Sequence, residues 1–338
     1  MDAPGRIALG ENNVWVLPLH PDDGGGWLLI DAGIDGTIGF ESTWNVALDQ
    51  AQGLGFTPHD VRVVVVTHEH IDHAGLATRW ATSGTTGHGA RIVCGRAAIP
   101  SLVAGIDTIE SQREPRFAEL ERHGMPPELV ALFRARTNRL RWPPCPRDAI
   151  DAAEDHSTFR LADGTTLRLL VLPGHTPGNL VAWIEEAHTL FSGDTVIPTT
   201  IPTAGLHFPR TVEGDPTAPR WPSLPAFLEA VAAVRALRPV RIYPGHGEVI
   251  DDPTTYLDRF ETHHARRGAK VRAYLEAHAP CTAFEVVRGV FTRLPDERLL
   301  QAMTEVLGHL DLLEARGEAT RSVTGREAGR DVVRWSLT

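Results

Sequence analysis

The chain has 338 residues, a formal net charge of −10 and three cysteines. Its length can bury a large core and suggests two domains, or one domain with an appendage. The acidic balance argues against general binding of nucleic acid or anionic membranes, and no apolar run approaches the ~20 residues of a membrane span. The first residues lack the basic start and apolar core of a signal peptide, so we expect a cytoplasmic protein.

The cysteines and the basic residues add two constraints. Cys94, Cys145 and Cys281 lie far apart without a CxxC pair, so the sequence predicts neither a disulfide framework nor a thiolate metal site. Lys270 is the only lysine, and arginine therefore carries nearly all of the positive charge.

The first part of the chain is predicted to form mainly strands. Asn12 to Leu19 and Gly26 to Asp31 are separated by a turn rich in Asp and Gly, which indicates an antiparallel pair. Trp44 to Leu54 is predicted to be a helix, and the valine run Val63 to Val66 is predicted to be a buried strand. Arg91 to Gly95 adds another strand.

The segment after the valine run carries four candidate metal ligands within six residues, namely His68, His70, Asp72 and His73. A strand cannot continue through this polar sequence, so the ligands should lie on a loop and helix start at its carboxyl end, where α/β sheets hold ligands. His68 and His70 can share one ion, whereas Asp72 and His73 turn towards a neighbouring position. Imidazole and carboxylate groups suit zinc, iron or manganese.

Three further candidate ligands each follow an apolar run in a glycine-containing turn. They are His175, Asp194 and His246. Glycine lets the backbone bend sharply, so each of these side chains can point at one centre.

Two segments interrupt the strand-rich pattern. Residues 111 to 137 are charged with helical spacing and predict an insertion of two short helices. Residues 198 to 225 carry seven prolines, which exclude regular secondary structure but restrict the backbone. This Pro-rich loop leaves the Asp194 turn and should line the pocket there. His207 and Phe208 are candidate substrate contacts, with an exposed loop histidine as the alternative interpretation of His207.

The sequence changes character at about residue 255. Tyr256 to His278, Cys281 to Phe291 and Leu299 to Leu313 predict three helices, and Ala319 to Leu337 predicts a β-hairpin. Three helices followed by a two-stranded wing predict a winged-helix-like α+β domain over residues 256 to 338.

An HxHxDH motif followed in order by His, Asp and His resembles the metallo-β-lactamase superfamily over about the first 260 residues. The resemblance implies an α/β fold, a four-layer αββα sandwich, for a catalytic domain over residues 1 to 255. It also implies two metal sites, one held by His68, His70 and His175 and the other by Asp72, His73 and His246, with Asp194 bridging both.

The same resemblance assigns roles to other segments. It implies that Asp31, at a turn beside the metal site, supports the site without binding metal. Superfamily members often place substrate-covering elements where residues 111 to 137 lie, so this insertion is interpreted as a cap, with a structural hairpin at a dimer contact as the alternative. The winged-helix-like pattern resembles the C-terminal module of a branch that includes lactamase-β-like ribonucleases and polyketide-releasing thioesterases.

Two divalent ions, with zinc expected and iron or manganese as alternatives, would lower the pKa of a shared water towards neutrality. This predicts a hydrolase in which a metal-bridging hydroxide cleaves a thioester, ester or lactone of a small molecule, with Asp72 and Asp194 as catalytic residues. The alternative is a metal-dependent nuclease or phosphodiesterase acting on RNA or single-stranded nucleic acid. The winged-helix-like pattern favours that alternative and the acidic first domain disfavours it. A homodimer is compatible with either function.

Overall fold

The computed structural model describes residues 3–84, 89–135, 140–154, 157–208, 219–327 and 330–338. The strands within these residues are β1 Gly5–Leu9, β2 Asn12–Pro18, β3 Trp27–Ile30, β4 Thr37–Ile38, β5 Glu41–Ser42, β6 Val61–Val66, β7 Arg91–Gly95, β8 Ile150–Ala153, β9 Thr158–Arg160, β10 Thr166–Val171, β11 Leu180–Ile184, β12 Thr189–Gly193, β13 Arg241–Pro244, β14 Ala319–Glu327 and β15 Arg330–Leu337. The helices are α1 Thr43–Gly53, α2 Ile71–Ala74, α3 Ala77–Thr82, α4 Ile99–Ala104, α5 Ile106–Arg122, α6 Pro127–Arg134, α7 Ser223–Leu237, α8 Pro253–His278, α9 Ala283–Val290 and α10 Leu299–Ala315.

Two mixed sheets form the centre of the first part of the chain. The first has the strand order β1-β2-β3-β6-β7-β8 and the second β13-β12-β11-β10-β9. In the first sheet β3, β6, β7 and β8 run parallel, and in the second β12 and β13 run parallel. The predicted α/β fold is confirmed.

Alternating side chains of the strands explain why the two sheets stack between helices. In β11, Leu180, Ala182 and Ile184 enter the core between the sheets, whereas Val181 and Trp183 enter the core beneath α7 and α8. Successive strand residues point to opposite faces, so a strand that is apolar at every position is covered on both. The outer face of the first sheet packs on α1, α3 and α4, which completes helix, sheet, sheet and helix layers.

The C-terminal elements share a further core with the insertion. Phe117, Leu120 and Phe133 of α5 and α6 pack with buried side chains of α9 and α10 and with Trp335 of β15. The three predicted helices and the β-hairpin after residue 255 are present, and α8 runs across that boundary. The winged-helix comparison and the division into two domains at residue 255 stay predictions.

Two departures from the sequence-based expectations concern the edge of the first sheet and the Pro-rich loop. The strand β1 was not predicted, and it pairs with β2 as the edge of the first sheet. The Pro-rich loop was expected to lack regular structure, but α7 begins inside it at Ser223. Pro225 lies in the first turn of that helix, where backbone N–H groups have no intrahelical partner and a proline removes nothing.

Some predicted segments fall partly outside the described residues. These are residues 209–218 of the Pro-rich loop, residues 136 and 137 of the insertion, and residues 328 and 329 of the C-terminal hairpin. Within the described part, no helix combines the length and the apolar character that crossing a bilayer requires.

A buried ion-pair network joins the insertion to the C-terminal elements. The Arg220 guanidinium, ahead of α7, donates to Glu119 Oε1 of α5 at 2.8 Å and to Asp311 Oδ1 of α10 at 2.6 Å. His123 Nε2 contacts Glu119 at 3.2 Å, and Trp335 donates to His123 Nδ1 at 3.4 Å. Burial raises the pKa of Glu119, but His123 and Arg220 outweigh it and lower that pKa to about 2.

We expect Arg220→Met to lower the free energy of unfolding by about 3–5 kcal/mol, because it leaves two buried carboxylates without their cation. The matched control is Arg160→Met, which breaks the exposed pair with Asp23 and should cost less than ~1 kcal/mol. Urea unfolding at pH 7 measures both changes. Equal losses in the two variants would contradict a stabilising role for the network.

The network should also change how the free energy of unfolding depends on pH in acid. The pKa of Glu119 is lowered from 4.5 to about 2 in the folded protein. The contribution of ionised Glu119 to the free energy of unfolding is therefore present above pH 4.5 and is lost as the pH falls towards 2. Urea unfolding at successive pH values measures the difference in the free energy of unfolding between the native protein and Arg220→Met. This difference should narrow as the pH falls from 4.5 towards 2.

Candidate metal centre

The seven predicted ligands meet at one end of the sandwich because their turns follow the carboxyl ends of four strands. His68 and His70 lie on the loop after β6, and Asp72 and His73 lie in α2 directly beyond it. The turns after β10, β12 and β13 carry the other three, His175, Asp194 and His246. In the second sheet β10, β12 and β13 run in the same direction, because β11 is antiparallel to both of its neighbours and β13 is parallel to β12. Their carboxyl ends therefore lie at the same edge, and residues far apart in sequence are brought together.

The first group of ligands is formed by three imidazoles. His68 Nε2 and His175 Nε2 each lie 3.0 Å from His70 Nδ1. The other nitrogen of His175 donates to the Thr203 carbonyl at 3.0 Å, and His68 Nδ1 donates to Thr67 Oγ1 at 3.1 Å. Hydrogens on those two Nδ1 atoms leave lone pairs on both Nε2 atoms.

Those lone pairs make the group suited to a cation. His70 Nδ1 carries at most one hydrogen, so it cannot satisfy both Nε2 atoms that face it. Burial and the neighbouring His175 lower the pKa of His70 to about 3, and burial with His73 holds the pKa of His68 well below its ordinary value. The neutral imidazole is the form that binds metal.

The second group contains Asp72, His73 and His246. His73 Nε2 lies 3.2 Å from His246 Nε2, and Asp72 Oδ2 lies 3.3 Å from the same His246 atom. The remote nitrogens are again engaged, His73 Nδ1 with Asp31 at 2.7 Å and His246 Nδ1 with the Glu11 carbonyl at 3.2 Å. Both Nε2 atoms therefore point to a common space beside a carboxylate.

Charge in this second group favours a cation or protons. Burial lowers the pKa of His246, but the carboxylates of Asp194 and Asp72 outweigh it and raise that pKa to about 9. Burial also lowers the pKa of His73, but the carboxylates of Asp194 and Asp31 outweigh burial and hold that pKa well above its ordinary value. A metal ion and protons compete for the same Nε2 lone pairs.

Asp194 lies between the two groups and faces both. Its Oδ1 is 3.3 Å from His73 Nε2 and 3.5 Å from His246 Nε2, whereas its Oδ2 is 3.7 Å from His175 Nε2. The residue is only 7% exposed, and Oδ1 has no hydrogen-bond partner within the described chain. A buried carboxylate oxygen without a donor is costly, and a bound cation would satisfy it.

Close backbone approach at Gly245 makes this arrangement possible. A Cβ at that position would lie 2.6 Å from His73 Cε1 and 2.8 Å from Asp194 Oδ1. Any side chain would therefore displace two of the candidate ligands. The glycine-containing turn noted in the sequence has this steric reason.

Several supporting residues were missed at the sequence level. Asn12 donates from Nδ2 to Asp72 Oδ2 at 3.2 Å, and Asn13 and Trp15 donate to the Pro244 carbonyl in the turn before His246. Nothing local in an Asn-Asn pair at a strand start indicates these roles, because the partners lie far along the chain.

Two other side chains brace the loop that carries His68 and His70. Asp31 has a left-handed backbone, with φ of 68°, and its Oδ1 accepts hydrogen bonds from the N–H and Oγ1 of Thr67. Glu69 points away from the ligands and accepts a 2.6 Å hydrogen bond from Thr176, next to His175. Burial raises the pKa of Glu69. Both contacts restrict how the histidines can move.

The structure separates the two candidate substrate contacts. His207 is 5% exposed, which rules out the exposed-loop interpretation, and its Nε2 donates to the His175 carbonyl at 2.9 Å. Its ring centroid is 5.9 Å from that of His70. Phe208 instead packs in the core that the insertion shares with the C-terminal helices.

Comparisons with known proteins agree with this fold. The family model described as the metallo-beta-lactamase superfamily matches residues 8–246. A beta-lactamase domain protein from Burkholderia ambifaria has a similar structure, with a TM-score of 0.74 at 24% identity, covering 100% of this chain and 93% of that one. That likeness concerns the fold alone.

Sequence relatives cover this chain to different extents. A probable metallo-hydrolase, YqjP, from Bacillus subtilis is 25% identical over 332 residues, which is 94% of this chain and 92% of that protein. An atrochrysone carboxyl ACP thioesterase from Aspergillus fumigatus is 31% identical over 117 residues, which is 35% of this chain and 24% of that protein. Several other curated relatives are matched over about half of their own length.

The family match spans most of the chain and includes all seven residues of the two ligand groups. The chain therefore belongs to the metallo-beta-lactamase superfamily.

Proposed function

We propose that the protein is a dinuclear metal-dependent hydrolase that cleaves a thioester, ester or lactone of a small molecule. The observation that carries the proposal is Asp194, whose two carboxylate oxygens face two different groups of candidate ligands. In this assignment His68, His70 and His175 would hold the first ion, and Asp72, His73 and His246 would hold the second. Imidazole and carboxylate donors suit zinc, with iron and manganese as alternatives.

When bound, the ions would supply a nucleophile at neutral pH and Lewis-acid stabilisation of developing negative charge. The protein would orient the reacting groups. Asn12 and His246 both contact Oδ2 of Asp72 and fix the orientation of this carboxylate, to which we assign the holding of the attacking water. Burial raises the pKa of Asp72, but His246 and His73 outweigh it and keep that carboxyl ionised.

The cysteines support a mechanism without a thiolate nucleophile. All three are buried, and burial raises the pKa of Cys145 and of Cys281 to about 11. Burial also raises the pKa of Cys94 far above its ordinary value. A protonated, inaccessible thiol cannot attack a carbonyl. The thioesterase names among the relatives agree with a carbonyl substrate.

We expect Asp194→Asn to bind fewer than two equivalents of metal and to lose at least ~100-fold in kcat/KM. The amide keeps the shape of the side chain but removes the charge that both groups face. Elemental analysis of protein purified without chelators measures the first effect and steady-state kinetics the second. Asp49→Asn, on the exposed face of α1, is the matched control. Two full equivalents and native activity in Asp194→Asn would contradict the bridging assignment.

Asn12→Ala should reduce kcat by about 10- to 100-fold while two equivalents of metal are retained. Its amide holds Asp72 Oδ2 and orients the carboxylate, but it is not a candidate ligand. Metal analysis beside kinetics separates misorientation from loss of an ion. Unchanged kcat would show that Asp72 needs no such partner.

The reaction class is tested by a substrate panel on zinc-loaded protein. The panel contains acyl-CoA and glutathione thioesters, simple lactones, a chromogenic phosphodiester and single-stranded RNA. We expect turnover within the first two groups. Turnover of the phosphodiester and RNA alone would overturn this proposal in favour of a nuclease.

A further inference from the structure

A row of basic side chains follows one face of α8 beyond the metal centre. Arg259, His263, Arg266 and Lys270 are separated by four, three and four residues, the spacing that places helical side chains in one line. Lys270 is the only lysine of a chain whose net charge is −10. Positive charge is therefore concentrated along one face of α8 in a chain that is acidic overall.

Two neighbouring cavities open along this row. The larger, of about 620 Å³, is lined by all four basic residues and by Arg267. The smaller, of about 310 Å³, is lined by Thr199, Thr200 and Thr203 and by side chains of α8 and α10. The two share Ile201, Arg259 and His263 and together form one groove.

The acidic side chains in the groove already have cationic partners, and one of them pairs with a member of the row. Asp258 Oδ1 accepts from Arg235 at 2.7 Å. Glu305 Oε1 accepts from Arg267 at 2.7 Å and lies 2.9 Å from His263 Nε2. Among the described ion pairs, none joins Arg266 or Lys270 to a carboxylate, and both are exposed. The groove thus has cations available to an anionic ligand.

The wall of the groove also contacts the metal centre. Thr203, which lines the smaller cavity, accepts a hydrogen bond from His175 Nδ1 through its carbonyl. Arg259 donates to the Pro198 carbonyl at 3.3 Å, and Pro198 packs on Gly247 beside His246. A single segment of chain, residues 198–204, therefore lies between the basic groove and both ligand groups.

We propose that this groove binds the phosphate groups of a coenzyme A thioester whose acyl end reaches the metal centre. The inference rests on the proposed function. Hydrolysis would add water to the acyl carbon, break the C–S bond and release a carboxylic acid and the protonated thiol. Several phosphates on one leaving group match several aligned cations better than the single phosphodiester of a carrier-bound pantetheine does.

The test uses one double variant, Arg266→Glu with Lys270→Glu, which reverses the charge of both exposed cations. Arg293→Glu with Arg298→Glu is the matched control, because these arginines are exposed, lie outside both cavities and give the same change in charge. Titration calorimetry on metal-loaded protein measures binding of 3′-phosphoadenosine 5′-diphosphate, which lacks the thiol. We expect the first variant to weaken binding at least about tenfold and the control to leave it unchanged. Binding should also weaken with added salt.

Kinetics provide the second readout. The first variant should raise KM for acetyl-CoA while kcat and the hydrolysis of S-acetylpantetheine, which has no phosphate, stay unchanged. Absence of nucleotide binding by the native protein, or equal binding in both variants, would overturn the inference even if thioesters are hydrolysed. Nucleotide binding without hydrolysis of any thioester, ester or lactone would instead overturn the proposed function. Nucleotide binding with turnover of esters or lactones alone would overturn the inference and leave the proposed function standing. Binding of single-stranded RNA alone, dependent on Arg266 and Lys270, would assign the groove to nucleic acid and also sink the inference.

Discussion

The candidate site is governed by one constraint: buried nitrogen and oxygen lone pairs face one another at one edge of the sandwich. Four imidazole Nε2 atoms point inward while their remote nitrogens are held by protein groups, and the Nδ1 atom of His70 faces two of them. Asp194 adds a carboxylate oxygen that has no hydrogen-bond donor in the described chain. Lone pairs and negative charge at such distances repel one another, and a bound divalent ion would replace this repulsion by coordination.

Holding that arrangement in place requires the rest of the fold. Asn12 and Asn13 begin β2, and Asp31 directly follows β3, whereas the residues that they restrain come from turns across both sheets. Gly245 permits the approach of the last ligand turn to His73 and Asp194. The central strands of the sandwich are rigid because they are buried on both faces. Short turns attach the candidate ligands to these strands and restrict their movement.

The elements outside the sandwich are joined to one another, and residues 198–204 connect with this edge. The insertion and the C-terminal helices form one core, and Arg220 ties them together through Glu119 and Asp311. Residues 198–204 pass from the Asp194 turn to the groove on α8 and contact His175 on the way. These segments are where substrate selectivity is expected, since the ligands only bind and orient the reacting groups.

The sequence alone determined the ligand types, their order and the α/β fold, because strand periodicity, glycine turns and the His-rich motif are local patterns. It could not show which nitrogen of each histidine faces the centre, since that choice depends on partners such as Thr203 and Glu11, distant along the chain from His175 and His246. Burial of His207, the Arg220 network and the cationic groove were also decided only by tertiary packing. Local patterns encode backbone conformation, whereas hydrogen-bond partners and burial depend on which distant segments come together.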